Sequence, residues 1–186
     1  MIFATAAEYN PFHNGHAYHI SQIKKLGADG IIAVMSGSFV QRGEPAVMSK
    51  FERAKCAVRN GVDLVLELPV SFSVGSAERF AAGCVRIAEA TGVVSKFCFG
   101  SESANVPTFE KTVETLETPE FSSVLKEELS EGKTFAAARA NALKELGAFA
   151  PEKPNDILAV EYIKELKRLK SKIVPVAIKR VGDYHG

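Results

Sequence analysis

Ile2-Phe3-Ala4-Thr5-Ala6-Ala7-Glu8-Tyr9-Asn10-Pro11-Phe12-His13-Asn14-Gly15-His16 joins a short apolar run to the start of a helical pattern, and this junction decides the fold. The run over residues 2–7 is unbroken, as expected for a strand buried on both faces of a parallel sheet. Beyond it Ala17, Ile20, Ile23 and Lys24 recur at helical spacing. His13 and His16 therefore fall in the first turn of a helix, three residues apart and on one side. A helix start offers unpaired N–H groups and a partial positive charge, which together favour an anion. Gly15 has no side chain to obstruct a close approach of backbone and ligand. Two imidazoles aimed at one spot add donors that can follow charge developing on a phosphate. The junction reads as a nucleotide phosphate site with His13 and His16 as its catalytic pair.

Outward from this segment, apolar runs over 2–7, 31–35, 64–68, 96–99 and 173–178 alternate with helical patterns. Such alternation marks a parallel sheet covered by helices on both faces. Ser49 is placed to begin a helix over 50–60 that Gly61 ends, and a second helix over 76–90 stops at Thr91-Gly92. From 108 to 146 helices follow one another without a strand, with breaks near Thr118-Pro119 and Glu131-Gly132. This predicts a helical insertion, about 107–150, packed beside the sheet and shaping the acceptor side of the cleft. Pro154 and Asn155 open another helix running to about Leu169, and Pro175 suits a final strand only at a sheet edge. The expected fold is α/β, a Rossmann-like parallel sheet of about five strands in a single domain over 1–186. Ligands of such sheets bind at the carboxyl ends of the strands.

With 186 residues and 46% hydrophobic content, the chain is long enough for a well-covered core. A net charge of +1 gives no global field that would advertise nucleic acid. Cys56, Cys84 and Cys98 are odd in number, widely spaced and without a CxxC pair, so buried reduced thiols in a cytoplasmic protein are expected. Neither a basic leader nor an apolar stretch near ~20 residues is present, which argues against secretion and membrane insertion. His13, His16 and His19 have no cysteine or carboxylate at ligand spacing, so no protein metal site is expected. The bland reading of the histidine pair is helix capping, and that of His19 is cover for the sheet edge.

His13-Asn14-Gly15-His16 after a strand resembles the HxGH signature of the nucleotidyltransferase superfamily. Residues 8–16, 34–46, 61–69, Phe99-Gly100-Ser101-Glu102 and 153–158 together resemble the bacterial tRNA(Met) cytidine acetate ligase family, over essentially the whole chain. The resemblance implies that Ala6, Ala7, Glu8, Tyr9, Asn10, Pro11, Phe12, His13, Asn14, Gly15, His16, Ala17, Tyr18 and His19 form the main ATP-binding element. It adds Gly100, Asn155, Arg180 and Val181 as ATP contacts. A turn glycine, a helix N-cap and a solvated surface arginine are the plain readings of Gly100, Asn155 and Arg180. Arg42, in a loop after the second strand, is a candidate for meeting the acyl or tRNA substrate, and so are Lys50 and Arg53, against the plain reading that most such charges face solvent. Met48-Ser49-Lys50 imitates the KMSKS loop of synthetases but precedes the third strand, and it reads as a helix start. The superfamily's serine-rich signature after the last strand is absent, so an N-terminal portion of a longer protein is expected, and activity of the isolated chain is left open.

The activity implied is ATP-dependent ligation. Acetate attacks the α-phosphate to give acetyl-adenylate, and the acetyl group passes to the N4 amine of the wobble cytidine of elongator tRNA(Met). Mg²⁺ is expected to arrive with the ATP phosphates. One alternative is an adenylyltransferase acting on a phosphorylated small molecule. Another is a noncatalytic tRNA- or nucleotide-binding module using Lys164, Lys167, Arg168, Lys170, Lys172, Lys179 and Arg180. The bland reading of that cluster is a solvated helix face. Oligomeric state is not legible.

Overall fold

The computed structural model describes residues 1–180. Five parallel strands, β1 (Ile2–Ala7), β2 (Gly30–Ser36), β3 (Leu64–Leu68), β4 (Val94–Ser101) and β5 (Val174–Lys179), form one sheet in the order β3-β2-β1-β4-β5. The chain steps from β1 outward to β3, then crosses back to β4. The carboxyl ends of β1 and β4 thus border the point where the strand order reverses, the place where doubly wound sheets bind ligands.

Side chains alternate strictly between two cores, as a period of two demands. On one face Ala4, Val34, Leu68, Phe97 and Phe99 pack under α4 (Ala77–Ala90), α5 (Val106–Leu116) and α8 (Pro154–Arg168). On the other, Phe3, Ala33, Met35 and Cys98 meet Ile20 and Ile23 of α1 (Asn14–Lys25) and Ala57 of α2 (Lys50–Arg59). The expected strands are all present. β4 is longer than 96–99 because Val94 and Ser95 at one end and Gly100 and Ser101 at the other also join the sheet. β5 pairs only with β4, which is why Pro175 is tolerated there.

Helix starts follow their cap residues. The Ser49 hydroxyl accepts from the Glu52 N–H, and the Ser76 hydroxyl from the Arg79 N–H. Met48-Ser49-Lys50 is accordingly the start of α2. A short helix, α3 (Val70–Ser73), follows Pro69 and has no counterpart in the sequence reading, being too brief for periodicity to register.

The helical excursion consists of α5, α6 (Pro119–Ser130) and α7 (Phe135–Glu145). Phe121, Ala142 and Leu143 give it a small core of its own. Arg139 of α7 pairs at 2.6 Å with Glu161 of α8, a carboxylate that is almost fully buried. The expectation that this segment shapes the acceptor side of the cleft is corrected. Among the described residues none from 107–150 lines the cleft, because α5 rests on α8 and β5, away from the strand ends.

Candidate functional site

A cleft of about 320 Å³ opens at the carboxyl ends of β1, β4 and β5, bounded by the N-termini of α1 and α8. The turn leaving β1 is built tightly. Tyr9 is buried and takes a left-handed backbone conformation, φ +49°, which is costly for a non-glycine residue and is held by its surroundings. Its ring meets Phe12 at 5.1 Å and stands nearly perpendicular to the His16 ring at 5.0 Å. The Asn10 side chain accepts from the Val47 N–H at 2.8 Å and ties the turn to the loop before α2.

His13 is the N-cap of α1 and His16 stands three residues on, so His13 sits just ahead of the first turn rather than within it. The two form a capping box. His13 Nδ1 accepts from the Gly15 N–H at 3.1 Å, and His16 Nδ1 accepts from the His13 N–H at 3.3 Å. The rings stack 3.7 Å apart. Capping, the bland reading, is therefore real, and it has a chemical consequence. A neutral imidazole has one donor and one acceptor nitrogen, so engaging both Nδ1 atoms as acceptors puts both protons on Nε2.

The rings are neutral. Burial first, then the cost of adding a second positive charge beside His13, His19 or Arg180, pull His16 down to about 3. Burial and Arg180 lower His13 as well. His19, whose Nε2 lies 3.2 Å from the Thr5 hydroxyl, is lowered to about 4 by burial and Arg180. Thr5 belongs to central β1, so His19 covers the middle of the sheet and not its edge.

Across the cleft, Arg180 follows β5 and lies against Gly100, at the end of β4. A Cβ built on Gly100 would sit 3.5 Å from the Arg180 side chain, an ordinary contact. Nothing in the protein's own packing requires glycine there. Asn155 is in the first turn of α8, whose N-cap is Lys153, so the capping explanation of its residue type is corrected. Its amide donates to Glu102 at 2.7 Å, and Glu102 in turn accepts from the Asp156 N–H. Asp156 returns the clamp by accepting from the N–H groups of Glu102 and Ser103.

Of the expected residues, the cleft gathers Ala6, Ala7, Glu8, Tyr9, His13, Gly15, His16, Tyr18 and His19 with Arg42, Gly100, Asn155 and Arg180. Asn10, Pro11, Phe12, Asn14 and Ala17 do not line it, and Val181 lies outside the described residues. Lys50 is engaged by both oxygens of Glu67, at 2.8 and 2.6 Å. The expectation for Arg53 is corrected. It is fully buried, and its guanidinium donates to the carbonyls of Glu8, Gly37 and Met48. Three main-chain acceptors converging on one fork leave it no face for a substrate.

Sequence reasoning missed Gln41, Phe80, Phe99, Leu158 and Tyr162 of the cleft wall. Gln41 carried one signal, its adjacency to Arg42, whereas the apolar four carry no chemistry that would mark them as site residues. The basic cluster is also revised. Lys164 pairs with Glu78 and Glu161, Lys167 with Glu117 and Arg168 with Glu165, so the helical part is largely neutralised within the fold. Among the described residues no helix is long and apolar enough to cross a membrane.

A family model described as HIGH Nucleotidyl Transferase matches residues 1–186. The chain is 48% identical over 194 residues to the tRNA(Met) cytidine acetate ligase of Acetivibrio thermocellus, covering 99% of this chain and 47% of that protein. It is 48% identical over 182 residues to the protein of the same name from Caldicellulosiruptor saccharolyticus, covering 96% and 45%. The crystal structure of Thermotoga maritima TmcAL bound with alpha-thio ATP superposes with a TM-score of 0.93 at 45% identity, covering 97% of this chain and 47% of that one. The chain thus spans about half the length of the curated relatives it matches. With strand order, histidine pair and whole-length match in agreement, the chain belongs to the HIGH nucleotidyl transferase family.

Proposed function

We propose that the chain is the ATP-binding and catalytic portion of a cytoplasmic ligase that activates acetate as acetyl-adenylate and transfers the acetyl group to the N4 amine of the wobble cytidine of elongator tRNA(Met). One observation carries the reading: two neutral imidazoles, fixed by capping with their Nε2–H groups as donors, at the head of α1 and opposite Arg180. In this scheme the triphosphate lies over the N-terminus of α1. The donors of His13 and His16 and the cation of Arg180 stabilise charge on the transferring phosphate, while Gly100 and Asn155 face the nucleoside. No protein nucleophile is needed, since the work is positioning and electrostatic stabilisation. Mg²⁺ accompanies the ATP phosphates. Among the described residues no group of three His, Cys, Asp or Glu side chains is placed to hold it.

The test is acetate-dependent ATP/pyrophosphate exchange in the natural full-length polypeptide. Removing a preorganised donor costs about 10²–10³ in rate. His16→Gln isolates that loss, because glutamine at the third helical position of a capping box can still reach back to the N-cap N–H. Exchange is expected to fall by roughly 10²-fold or more in this variant with the fold intact. Exchange near the wild-type rate refutes the assignment. Acetate-independent pyrophosphate release with a phosphoester acceptor would favour the adenylyltransferase reading.

A further inference from the structure

Glu8 supplies the one carboxylate among the described residues that line the cleft, and its surroundings hold it firmly. Its main-chain carbonyl accepts from buried Arg53, and its Oε1 accepts from the Gln41 N–H at 2.6 Å. Oε2 carries no hydrogen bond among the described residues. An anion is misplaced against a triphosphate, since like charges in a cleft of low dielectric repel strongly. The side chain instead faces the loop after β2, whose Gln41 and Arg42 also line the cleft. The cleft thus carries, besides the cation of Arg180, a carboxylate held beside the Gln41 loop with one acceptor oxygen not engaged among the described residues.

We infer that Glu8 is a catalytic residue of the second half-reaction, accepting a proton from the attacking amine of the acceptor base; the inference rests on the acyl transfer proposed above. A cytosine exocyclic amine presents N–H donors and no charge, and a carboxylate is its natural partner. As the N4 lone pair forms the bond to the acyl carbon, the anhydride C–O bond breaks and AMP leaves with its electrons. The nitrogen becomes cationic and sheds one proton, which passes to Oε2 of Glu8. Proton transfer by a positioned group contributes about 10²–10⁴ in rate.

The experiment separates the half-reactions in the natural full-length polypeptide, with Glu8→Gln as the variant. The glutamine carbonyl still accepts from the Gln41 N–H, so the loop stays in place, but the proton acceptor is lost. ATP/pyrophosphate exchange is measured with acetate and without tRNA. Acetyl transfer is measured as a single turnover from preformed acetyl-adenylate onto tRNA. The expected result is a fall of about 10²-fold or more in transfer relative to exchange, together with loss of the acidic limb of the wild-type pH profile for transfer. Parallel loss of both half-reactions, or an unchanged ratio, overturns the assignment. Absence of exchange from the wild type overturns the proposed function and this step with it.

Discussion

His19 offers a stability measurement that tests the electrostatics of the cleft without any substrate. Its ring is shielded beneath α1 and faces Arg180, so in the folded chain it titrates at about 4, against about 6.5 when unfolded. A folded value below the unfolded one means that acid favours the unfolded chain. The stability His19 permits is complete above about pH 6.5 and is lost as the pH falls toward 4. Between pH 7 and pH 5 the unfolded ring gains most of a proton that the folded ring refuses, which amounts to about 2 kcal/mol. His19 is only partly buried as a residue, and discounting for that screening leaves about 1 kcal/mol. Urea unfolding followed by far-UV circular dichroism at the two pH values gives the comparison. In His19→Gln the loss of stability from pH 7 to pH 5 should be smaller than in the wild type by about 1 kcal/mol, whatever its absolute stability. His16 contributes in the same direction to both proteins and cancels. An identical loss in variant and wild type would show that the imidazole is not held neutral, and the donor assignment for its neighbours would fail with it.

Three further outcomes follow from the packing. Arg53→Met removes the donors to three main-chain carbonyls and should cost about 3–5 kcal/mol by denaturant titration, far more than an exposed helical arginine would. Gly83→Ala should destabilise by about 1–3 kcal/mol although alanine is the better helix former, since its Cβ would lie 2.7 Å from Leu68 and Phe72 side-chain atoms that have no room to retreat. Gly100→Ala should leave stability within about 0.5 kcal/mol of wild type, since its Cβ would make only an ordinary contact with the Arg180 side chain, and should weaken ATP binding measured by calorimetry, since that Cβ would project into the cleft where the nucleoside is proposed to lie.

The sheet was legible because each strand is a short apolar run and helical patterns separate one strand from the next, and the junction of β1 with the cap that follows it is written in a few consecutive residues. His13 and His16 could be found for the same reason, since a capping box is written within four residues. What escaped depends on contacts distant in sequence. Arg53 looked like any charge on a surface helix, and its burial arises only when the ends of β1 and β2 bring Glu8 and Gly37 beside it. Phe80 and Tyr162 belong to the core and also form part of the cleft wall, a double role that their apolar character does not announce. The lysines of α8 looked like a cationic stripe until Glu78 and Glu117, nearly 50 to 90 positions away, closed on them. The Gly100 and Arg180 contact likewise needed the β4–β5 register to exist before the cradle could be seen.

The fork of Arg53 has a mechanical implication. It fastens the exits of two neighbouring strands and the lead-in to α2 through one rigid planar group, so those three segments cannot separate without stranding main-chain oxygens in a dry interior. The span between the Glu8 turn and the Gln41 loop is consequently preset. Any adjustment to an incoming molecule falls to the opposite lip, where Lys179 and Arg180 border solvent.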